Sequence, residues 1–310
     1  MVNDYYNTSI DIYKIETNNK KIDKKKILLV VLCIVVLVEV FFAVRYSVKA
    51  IKSYKFYKQY ETQLQSIKLQ EEQQRKQLAE ETERIKKERL PNLTEKGKEN
   101  IGNIYHSDKK IAYLTFDDGP SIVTPTILDV LKQEKVKATF FVLGSNVEKM
   151  PETTKRIYDE GHYIANHGYS HVYQTIYQSP QTVLDEYNMC NDIVKNAIGQ
   201  QEYNSHLFRF PGGLPGGKYA EIKNQASELL SQNNIMHIDW NALTGDAETN
   251  NLSTEFELTR LEQTTTDKNS VVILMHDAPA KKVTADSLPQ IISYLREQGY
   301  EFKSFYDIIK

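Results

Sequence analysis

Residues 111–120 have the sequence IAYLTFDDGP, an apolar strand pattern that runs directly into two adjacent carboxylates. Ile111–Phe116 is rich in apolar and aromatic residues, which predicts a buried strand. The Gly-Pro pair that follows favours a sharp turn. Because successive side chains of an extended chain point in opposite directions, Asp117 and Asp118 can serve two separate tasks. The stretch therefore predicts a strand that delivers a pair of carboxylates to an exposed turn.

Short apolar segments of the same kind recur along the chain and alternate with helical patterns. This alternation is typical of a parallel α/β sheet or barrel. Polar side chains stand repeatedly at the ends of the apolar segments, where α/β barrels have their active sites. We expect further strands at Ala138–Gly144, 163–166, 206–210, Ile235–Trp240, Val271–His276 and Glu301–Phe305, and helices at Ser121–Gln133, Pro151–Glu160, Pro180–Ile198 and Ala220–Gln232.

His167 and His171, in the segment NHGYSH, are four residues apart. Two histidines at this spacing converge on one metal ion if the segment turns like a helix. An aspartate from another strand end would complete an Asp/His/His site that leaves coordination positions open for water and substrate. Two ordinary surface histidines are the alternative interpretation of this motif taken alone.

Three further strand ends have chemically useful side chains. Arg209 opens the segment RFPGG, and an arginine at a strand end can pair with a carboxylate and fix its orientation. Asp239 and Trp240 end another predicted strand and are followed by TGDA at 244–247. His276 ends the strongly apolar segment VVILMH. A core tryptophan and a core histidine are equally good interpretations of these last two residue types taken one at a time.

Five motifs occur in one order between residues 115 and 276: TFDDGP, HxxxH, RxPxG, DW and LxH. In this order they resemble the polysaccharide deacetylase family, also described as the NodB homology domain or carbohydrate esterase family four. The resemblance covers nearly all of residues 108–310. It implies an α/β fold, a distorted and incomplete (β/α) barrel with fewer than eight strands, and metal-dependent removal of acetyl groups from a polysaccharide.

The resemblance implies a metal site and a general base. Asp118, His167 and His171 match the metal ligands; Zn2+ is the usual ion, and Co2+ or another divalent ion is the alternative. Asp117 matches the general base, and Arg209 matches the residue that orients it. A bound metal ion would lower the pKa of water and polarise the acetyl carbonyl group.

The resemblance also implies a general acid and contacts to the substrate. His276 matches the general acid, and Asp239 matches the carboxylate paired with it. The backbone N–H of Gly212 matches a donor to the oxyanion. Family members often have a tyrosine at this position, so the glycine removes a side chain from the substrate groove. The remaining implied contacts come from Pro211, Trp240 and Leu274.

The first hundred residues differ in composition from the rest. Residues 27–44 are apolar except for Glu39, and eighteen helical residues span about 27 Å, enough for a bilayer core. A cleaved signal peptide is the alternative, but the charged leader is long and no small-residue cleavage site follows directly. We expect a cytoplasmic tail at 1–26, a transmembrane helix at 27–44, a helical stalk and linker at 45–107, and the catalytic domain at 108–310.

The predicted stalk lacks glycine and proline up to Pro91, which predicts a long helix. Tyr57, Leu64, Leu78 and Ile85 share a seven-residue register, which favours a weak coiled-coil dimer. A solvated single helix is the alternative, because several positions of that register are polar. Basic residues stand on both sides of the apolar run, so the charge rule alone leaves the orientation open.

Composition excludes several other classes of protein. The net charge of −2 over 310 residues gives no basic field for nucleic acid. Cys33 and Cys190 form no CxxC pair, which excludes a cysteine zinc site. A coiled-coil structural protein would leave the five ordered motifs unexplained.

The resemblance and the predicted anchor together suggest a substrate outside the cell membrane. We expect an enzyme that removes N-acetyl groups from the N-acetylglucosamine of peptidoglycan, with an extracellular catalytic domain and a cytoplasmic N-terminus. Alternative substrates are N-acetylmuramic acid, chitin-like polymer, poly-N-acetylglucosamine and, through ester cleavage, acetylated xylan. An inactive glycan-binding module is the alternative from another class.

Overall fold

The computed structural model describes residues 24–310, so most of the predicted cytoplasmic tail at 1–26 lies outside the described residues. The chain divides into two units, Met1–Glu80 and Glu81–Lys310. The second unit contains all the motifs singled out above.

The N-terminal unit is built on a single long helix. Helix α1 runs without interruption over Lys24–Glu88, so the predicted membrane span and stalk are parts of one helix. It contains no glycine or proline and ends shortly before Pro91. Its apolar segment is long and apolar enough to cross a membrane, and those side chains are exposed.

Eight strands of the described chain form one sheet, which curls into an incomplete barrel. The strands are β1 (Ile111–Asp117), β2 (Thr139–Val142), β3 (Tyr163–Asn166), β4 (Leu207–Phe208), β5 (Met236–His237), β6 (Ala242–Leu243), β7 (Ser270–His276) and β8 (Glu301–Phe302). Their order is β5-β4-β3-β2-β1-β7-β6, with β8 beside the start of β1, and all pairs are parallel. The predicted fold class, an α/β incomplete (β/α) barrel, is confirmed, but the described residues form eight strands and not the expected fewer than eight.

Helices connect the strands and cover the sheet. They are α2 (Glu95–Gly102), α3 (Thr124–Glu134), α4 (Gly144–Lys149), α5 (Pro151–Asp159), α6 (Tyr173–Ile176), α7 (Pro180–Ile198), α8 (Ala220–Gln232), α9 (Thr254–Thr265) and α10 (Lys282–Glu297). Helices α7 and α8 have the predicted bounds. Helix α10 was not predicted; it contains Pro289, which has no N–H to donate within a helix.

The core of the second unit includes residues before the predicted boundary at 108. Leu93, Ile101 and Ile104 are buried in one cluster with residues of the C-terminus, including Phe305 and Ile309. The backbone N–H of Thr94 also donates to the Ile309 oxygen at 3.3 Å. The linker between α1 and β1 therefore closes one side of the barrel.

The sheet register places the ends of distant strands side by side. Asp117 at the end of β1 pairs with His276 at the end of β7. Asn166 ends β3 and pairs with Phe208 at the end of β4. Because parallel strands all end at the same edge, the residues that follow them share one surface.

Removing residues 1–107 should strongly destabilise the barrel, whereas removing residues 1–80 should not. Burial of an aliphatic side chain contributes roughly 1.5–3 kcal/mol, and the longer deletion removes Leu93, Ile101 and Ile104 from the core. Three such losses are comparable to the whole stability of an ordinary domain, about 5–15 kcal/mol. Urea unfolding would measure the difference, and equal free energies of unfolding would contradict this prediction.

Candidate metal and catalytic site

Asp118, His167 and His171 come together at the carboxyl edge of the sheet, where one potential ligand atom from each lies within 4.8 Å of the other two. Nε2 of His167 is 3.6 Å from Oδ1 of Asp118, and Nε2 of His171 is 3.4 Å from the same oxygen. Zinc–ligand bonds are about 2.0–2.2 Å, so ligands of one ion lie a little over 3 Å apart. Asp118 has about that spacing to both histidines.

The chemistry of the three side chains also fits a divalent cation. Oδ1 of Asp118 is shielded from solvent and has no hydrogen-bond partner in the described chain. A buried carboxylate oxygen without a partner is costly unless a charge compensates it. One carboxylate oxygen and two imidazole nitrogens form a donor set typical of a zinc site with open coordination positions.

His167 has the tautomer in which Nε2, the nitrogen without a proton, faces Asp118. Burial lowers the pKa of His167 to about 3, so the ring is neutral at pH 7. Its Nδ1 lies 2.7 Å from the backbone oxygen of Arg209. Because a carbonyl oxygen only accepts hydrogen bonds, Nδ1 holds the proton and Nε2 keeps its lone pair. A metal-ligating histidine needs this arrangement.

The two histidines converge through an irregular turn, not through the helical turn that their spacing predicts. Gly168 (φ 85°) and His171 (φ 56°) both have left-handed backbone. The buried carboxylate of Glu186, on α7, accepts the N–H groups of Tyr169 at 2.9 Å and Ser170 at 3.0 Å. These bonds replace the intrahelical ones and hold the turn between the two imidazoles.

Arg209 orients Asp117 from inside the barrel. Its guanidinium is fully buried and donates through Nη1 to Oδ1 of Asp117 at 2.8 Å and to Oγ1 of Thr115 at 2.8 Å. The pair is not bidentate, because the other nitrogens donate to the backbone oxygens of Ile238 and Asp239. Burial raises the pKa of the Asp117 carboxyl, which the charge of Arg209 opposes.

The carboxylate that contacts His276 is Asp246, not Asp239. Nδ1 of His276 is 2.8 Å from Oδ1 of Asp246, and the backbone N–H of His276 donates to Oδ2 at 2.7 Å. Asp246 follows β6, which pairs with β7, whereas Asp239 follows β5 at the opposite end of the sheet. Although burial lowers the pKa of His276, the bond and charge of Asp246 raise it above its usual value.

Asp239 instead holds the loop that contains Gly212. Both of its carboxylate oxygens accept the N–H of Leu214, at 3.2 and 3.1 Å. Nζ of Lys223 donates to the Gly213 oxygen at 2.6 Å, and the Tyr177 hydroxyl donates to the oxygen of Pro211 at 2.7 Å. Three side chains from different elements therefore fix the backbone on both sides of Gly212.

Tyr173 covers the face of Gly212 where other residues would have a side chain. A Cβ added to Gly212, whose φ is 77°, would lie 2.5 Å from the hydroxyl oxygen of Tyr173. The Tyr173 ring is 5.7 Å from the ring of His171. The space that a larger residue in the loop would occupy is thus filled by a tyrosine from α6.

Trp240 and Leu274 have different surroundings. Trp240 is half-buried, with the Arg209 guanidinium carbon 5.7 Å from its ring centre. Leu274 is buried on β7, two residues before His276, and therefore faces the same side of the sheet.

Asp246, Glu186 and Tyr173 were not assigned to the site from the sequence. Asp246 lies in the TGDA segment that follows Trp240, so the sequence alone places it after a predicted strand. Strand β6 has only two residues, however, and no local pattern predicts its pairing with β7. Glu186 and Tyr173 lie within helices, where their own sequence positions give no sign of the contacts they make.

A family model described as polysaccharide deacetylase matches residues 105–230. A peptidoglycan-N-acetylglucosamine deacetylase of Bacillus cereus is 34% identical over 203 residues, which are 64% of this chain and 71% of that protein. The peptidoglycan-N-acetylmuramic acid deacetylase PdaA of Bacillus subtilis is 31% identical over 210 residues, 67% of this chain and 74% of that protein. Relatives with different sugars in their names therefore match similar shares of the chain.

A solved structure gives the same result for the fold. The structure of a CE4 esterase from Streptococcus mutans superimposes with a TM-score of 0.61 at 34% identity. The similarity covers 66% of this chain and 90% of that one.

Zn2+ should bind and stabilise the protein through the three-residue cluster. A ligand at a hundred times its Kd stabilises the folded state by about 2.7 kcal/mol. Asp118→Ala and His171→Ala should abolish this gain, because each removes a ligand. Thermal unfolding and equilibrium dialysis with Zn2+ would measure it, with the exposed His106→Ala as the matched control. Equal stabilisation of all variants would contradict the assignment.

Asp246→Asn should lower the pKa of His276, because the substitution removes the negative charge that favours the imidazolium. Asp239→Asn is the matched control and should leave that pKa in place, since Asp239 contacts Leu214 instead. Histidine NMR titration of the unit Glu81–Lys310 would measure both variants. A lowered pKa in Asp239→Asn alone would contradict the pairing.

Proposed function

The chain belongs to the polysaccharide deacetylase family, and from that premise we propose that it removes N-acetyl groups from the N-acetylglucosamine of peptidoglycan. The observation that supports the reaction is the grouping of Asp118, His167 and His171 beside a carboxylate oriented by a buried arginine. The choice of sugar is supported by the B. cereus relative, with the N-acetylmuramic acid of the B. subtilis relative as the second candidate.

The proposed cofactor is a divalent metal ion, with Zn2+ first, held by Asp118, His167 and His171. When bound, such an ion supplies Lewis-acid activation of water and of the acetyl carbonyl group. The side chains that surround the cluster then have separate tasks.

Asp117 is the proposed general base. Its carboxylate lies beside the cluster, with Oδ2 3.9 Å from Nε2 of His167. Arg209 holds the other oxygen, so the free oxygen faces the position of the attacking water. Proton transfer to a positioned carboxylate contributes typically 10²–10⁴-fold to a rate. Arg209 acts as a positioning residue.

His276 is the proposed general acid, with Asp246 as its paired carboxylate. An amine leaves an acetamide poorly unless it is protonated as the bond breaks. The raised pKa of His276 keeps the imidazolium available near neutral pH. The pairing of Asp117 and His276 across β1 and β7 puts base and acid on neighbouring strand ends.

The backbone N–H of Gly212 is the proposed donor to the oxyanion. It has no hydrogen-bond partner within the described residues. Asp239, Lys223 and Tyr177 fix the loop around it, and a preorganised donor of this kind contributes roughly 3 kcal/mol. Pro211, Trp240 and Leu274 are the proposed walls of the substrate pocket.

The proposed location is the outer face of the cell membrane, with residues 27–44 as the span and the N-terminus in the cytoplasm. Peptidoglycan lies outside the membrane, which supports this orientation. A weak coiled-coil dimer through the stalk remains part of this proposal.

Acetate release from isolated peptidoglycan, with and without Zn2+, tests the proposed function. The unit Glu81–Lys310 should release acetate only with metal. Asp117→Asn and His276→Ala should each lower kcat by about 10²–10⁴-fold, and His106→Ala should not. Mass spectrometry of the digested product would identify the deacetylated sugar.

The other outcomes separate the alternatives. Release confined to N-acetylmuramic acid, chitin-like oligomers, poly-N-acetylglucosamine or acetylated xylan would overturn the substrate and keep the reaction. No release from any acetylated glycan, with metal bound, would overturn the enzyme and favour an inactive glycan-binding module.

A further inference from the structure

A buried chain of polar groups extends from His276 into the protein. Oδ1 of Asp246 contacts Nδ1 of His276 at 2.8 Å, and Oδ2 of Asp246 is 3.2 Å from Oγ1 of Thr284 on α10. The same Thr284 oxygen is 2.9 Å from Oε1 of Glu257 on α9. Asp246, Thr284 and Glu257 are at most 2% exposed. Two carboxyl groups thus share one hydroxyl group away from solvent.

The three polar groups Asp246, Thr284 and Glu257 have few protons with which to form hydrogen bonds. A threonine hydroxyl has one proton, so it can donate to only one of the two carboxyl groups. The other contact is a hydrogen bond only if that carboxyl group is protonated and donates to the threonine oxygen. Two ionised carboxylates around a single donor would also repel each other in a buried site.

The donors around each carboxyl group show which one is ionised. Asp246 accepts from the backbone N–H of His276 at 2.7 Å and faces the ring of the same residue. Oε2 of Glu257 is buried without a hydrogen-bond partner among the described residues. Burial raises the pKa of Glu257, although the hydroxyls of Ser287 and Thr284 and the charge of Lys281 oppose the shift. Asp246 is therefore the better site for the negative charge.

We propose that Glu257 is a neutral buried acid that donates to Thr284, so that the Thr284 hydroxyl donates to Asp246 and orients it under His276. Glu257 and Thr284 are positioning residues, because they act on the reaction through Asp246. The functional part of this proposal rests on the proposed role of His276 as general acid.

Five other charged groups of the described chain lie near Asp246, Thr284 and Glu257 or act on His276. Nζ of Lys281 donates to the backbone oxygen of Asp246 at 2.6 Å. Glu248 and Arg260 form an ion pair on the outer side of the same loop. Asp117 and Asp118 act on His276 from β1. Glu257 differs from these groups because the buried hydroxyl of Thr284 links it to the Asp246 carboxylate.

The protonation state is tested by infrared difference spectroscopy of the full chain in detergent with Zn2+. Beside the band of Asp277, whose pKa is about 7, the carbonyl region should contain near neutral pH a second band of a protonated carboxyl group that disappears in Glu257→Gln. Absence of this band from the wild type would overturn the proposal whether or not the protein releases acetate. This measurement therefore stays separate from the test of the proposed function.

The positioning role is tested by the pH dependence of acetate release. In Thr284→Val, Asp246 loses a donor and becomes more basic, so the alkaline limb of kcat/KM should move to higher pH. The same change should lower kcat about tenfold with KM unchanged, because Thr284 does not touch substrate. Thr284→Ser keeps the hydroxyl and should restore both values.

Glu257→Gln discriminates between the two charge states. A neutral glutamic acid is replaced by a neutral amide, so the alkaline limb should stay at the wild-type pH. If Glu257 were ionised, losing its charge would move the limb to lower pH, and that result would overturn the proposal. An unchanged kcat and limb in Thr284→Val would overturn the positioning role.

Discussion

The buried guanidinium of Arg209 is the interaction on which the site depends. A fully buried cation is unfavourable unless its donors and its charge are matched. The protein matches them with Asp117, Thr115 and two backbone oxygens from the segment after β5, and places the ring of Phe141 3.9 Å away. This side chain, directly after β4, therefore joins the central strand β1 to the segment that follows the edge strand β5, and it fixes the orientation of the base.

Around this centre, the site residues lie in loops that are held from behind by buried polar groups. Asp118 and His171 both have left-handed backbone, which is unfavourable for residues with a side chain. The Asn146 amide donates to the Asp118 oxygen at 2.8 Å, and Glu186 accepts two N–H groups of the histidine turn. Packing and hydrogen bonds behind the loops thus maintain conformations that the loops would not adopt alone.

The sequence was sufficient for the fold class and for the grouping of motifs, because strand ends of a parallel sheet share one edge. It was not sufficient for contacts that depend on very short elements. The resemblance paired Asp239 with His276. Asp246 contacts His276 instead, because the two-residue strand β6 pairs with β7 while the two-residue strand β5 lies at the other end of the sheet. The burial of Leu93 in the core also depends on contacts with the last residues of the chain, and no local sequence pattern contains such contacts.

Carboxyl groups near the site illustrate how donors, and not residue type, decide the protonation state. Asp117 faces a guanidinium, and Asp246 faces a backbone N–H and an imidazole, so negative charge is compensated at both. Within the described part of the chain, Asp277 accepts hydrogen bonds from the hydroxyls of Ser121 and Thr124 alone, and burial raises its pKa to about 7. Glu257 likewise contacts hydroxyl groups, and burial raises its pKa although the charge of Lys281 opposes the shift. For a buried carboxylate, desolvation costs more free energy than hydroxyl donors alone contribute, so the neutral acid is favoured.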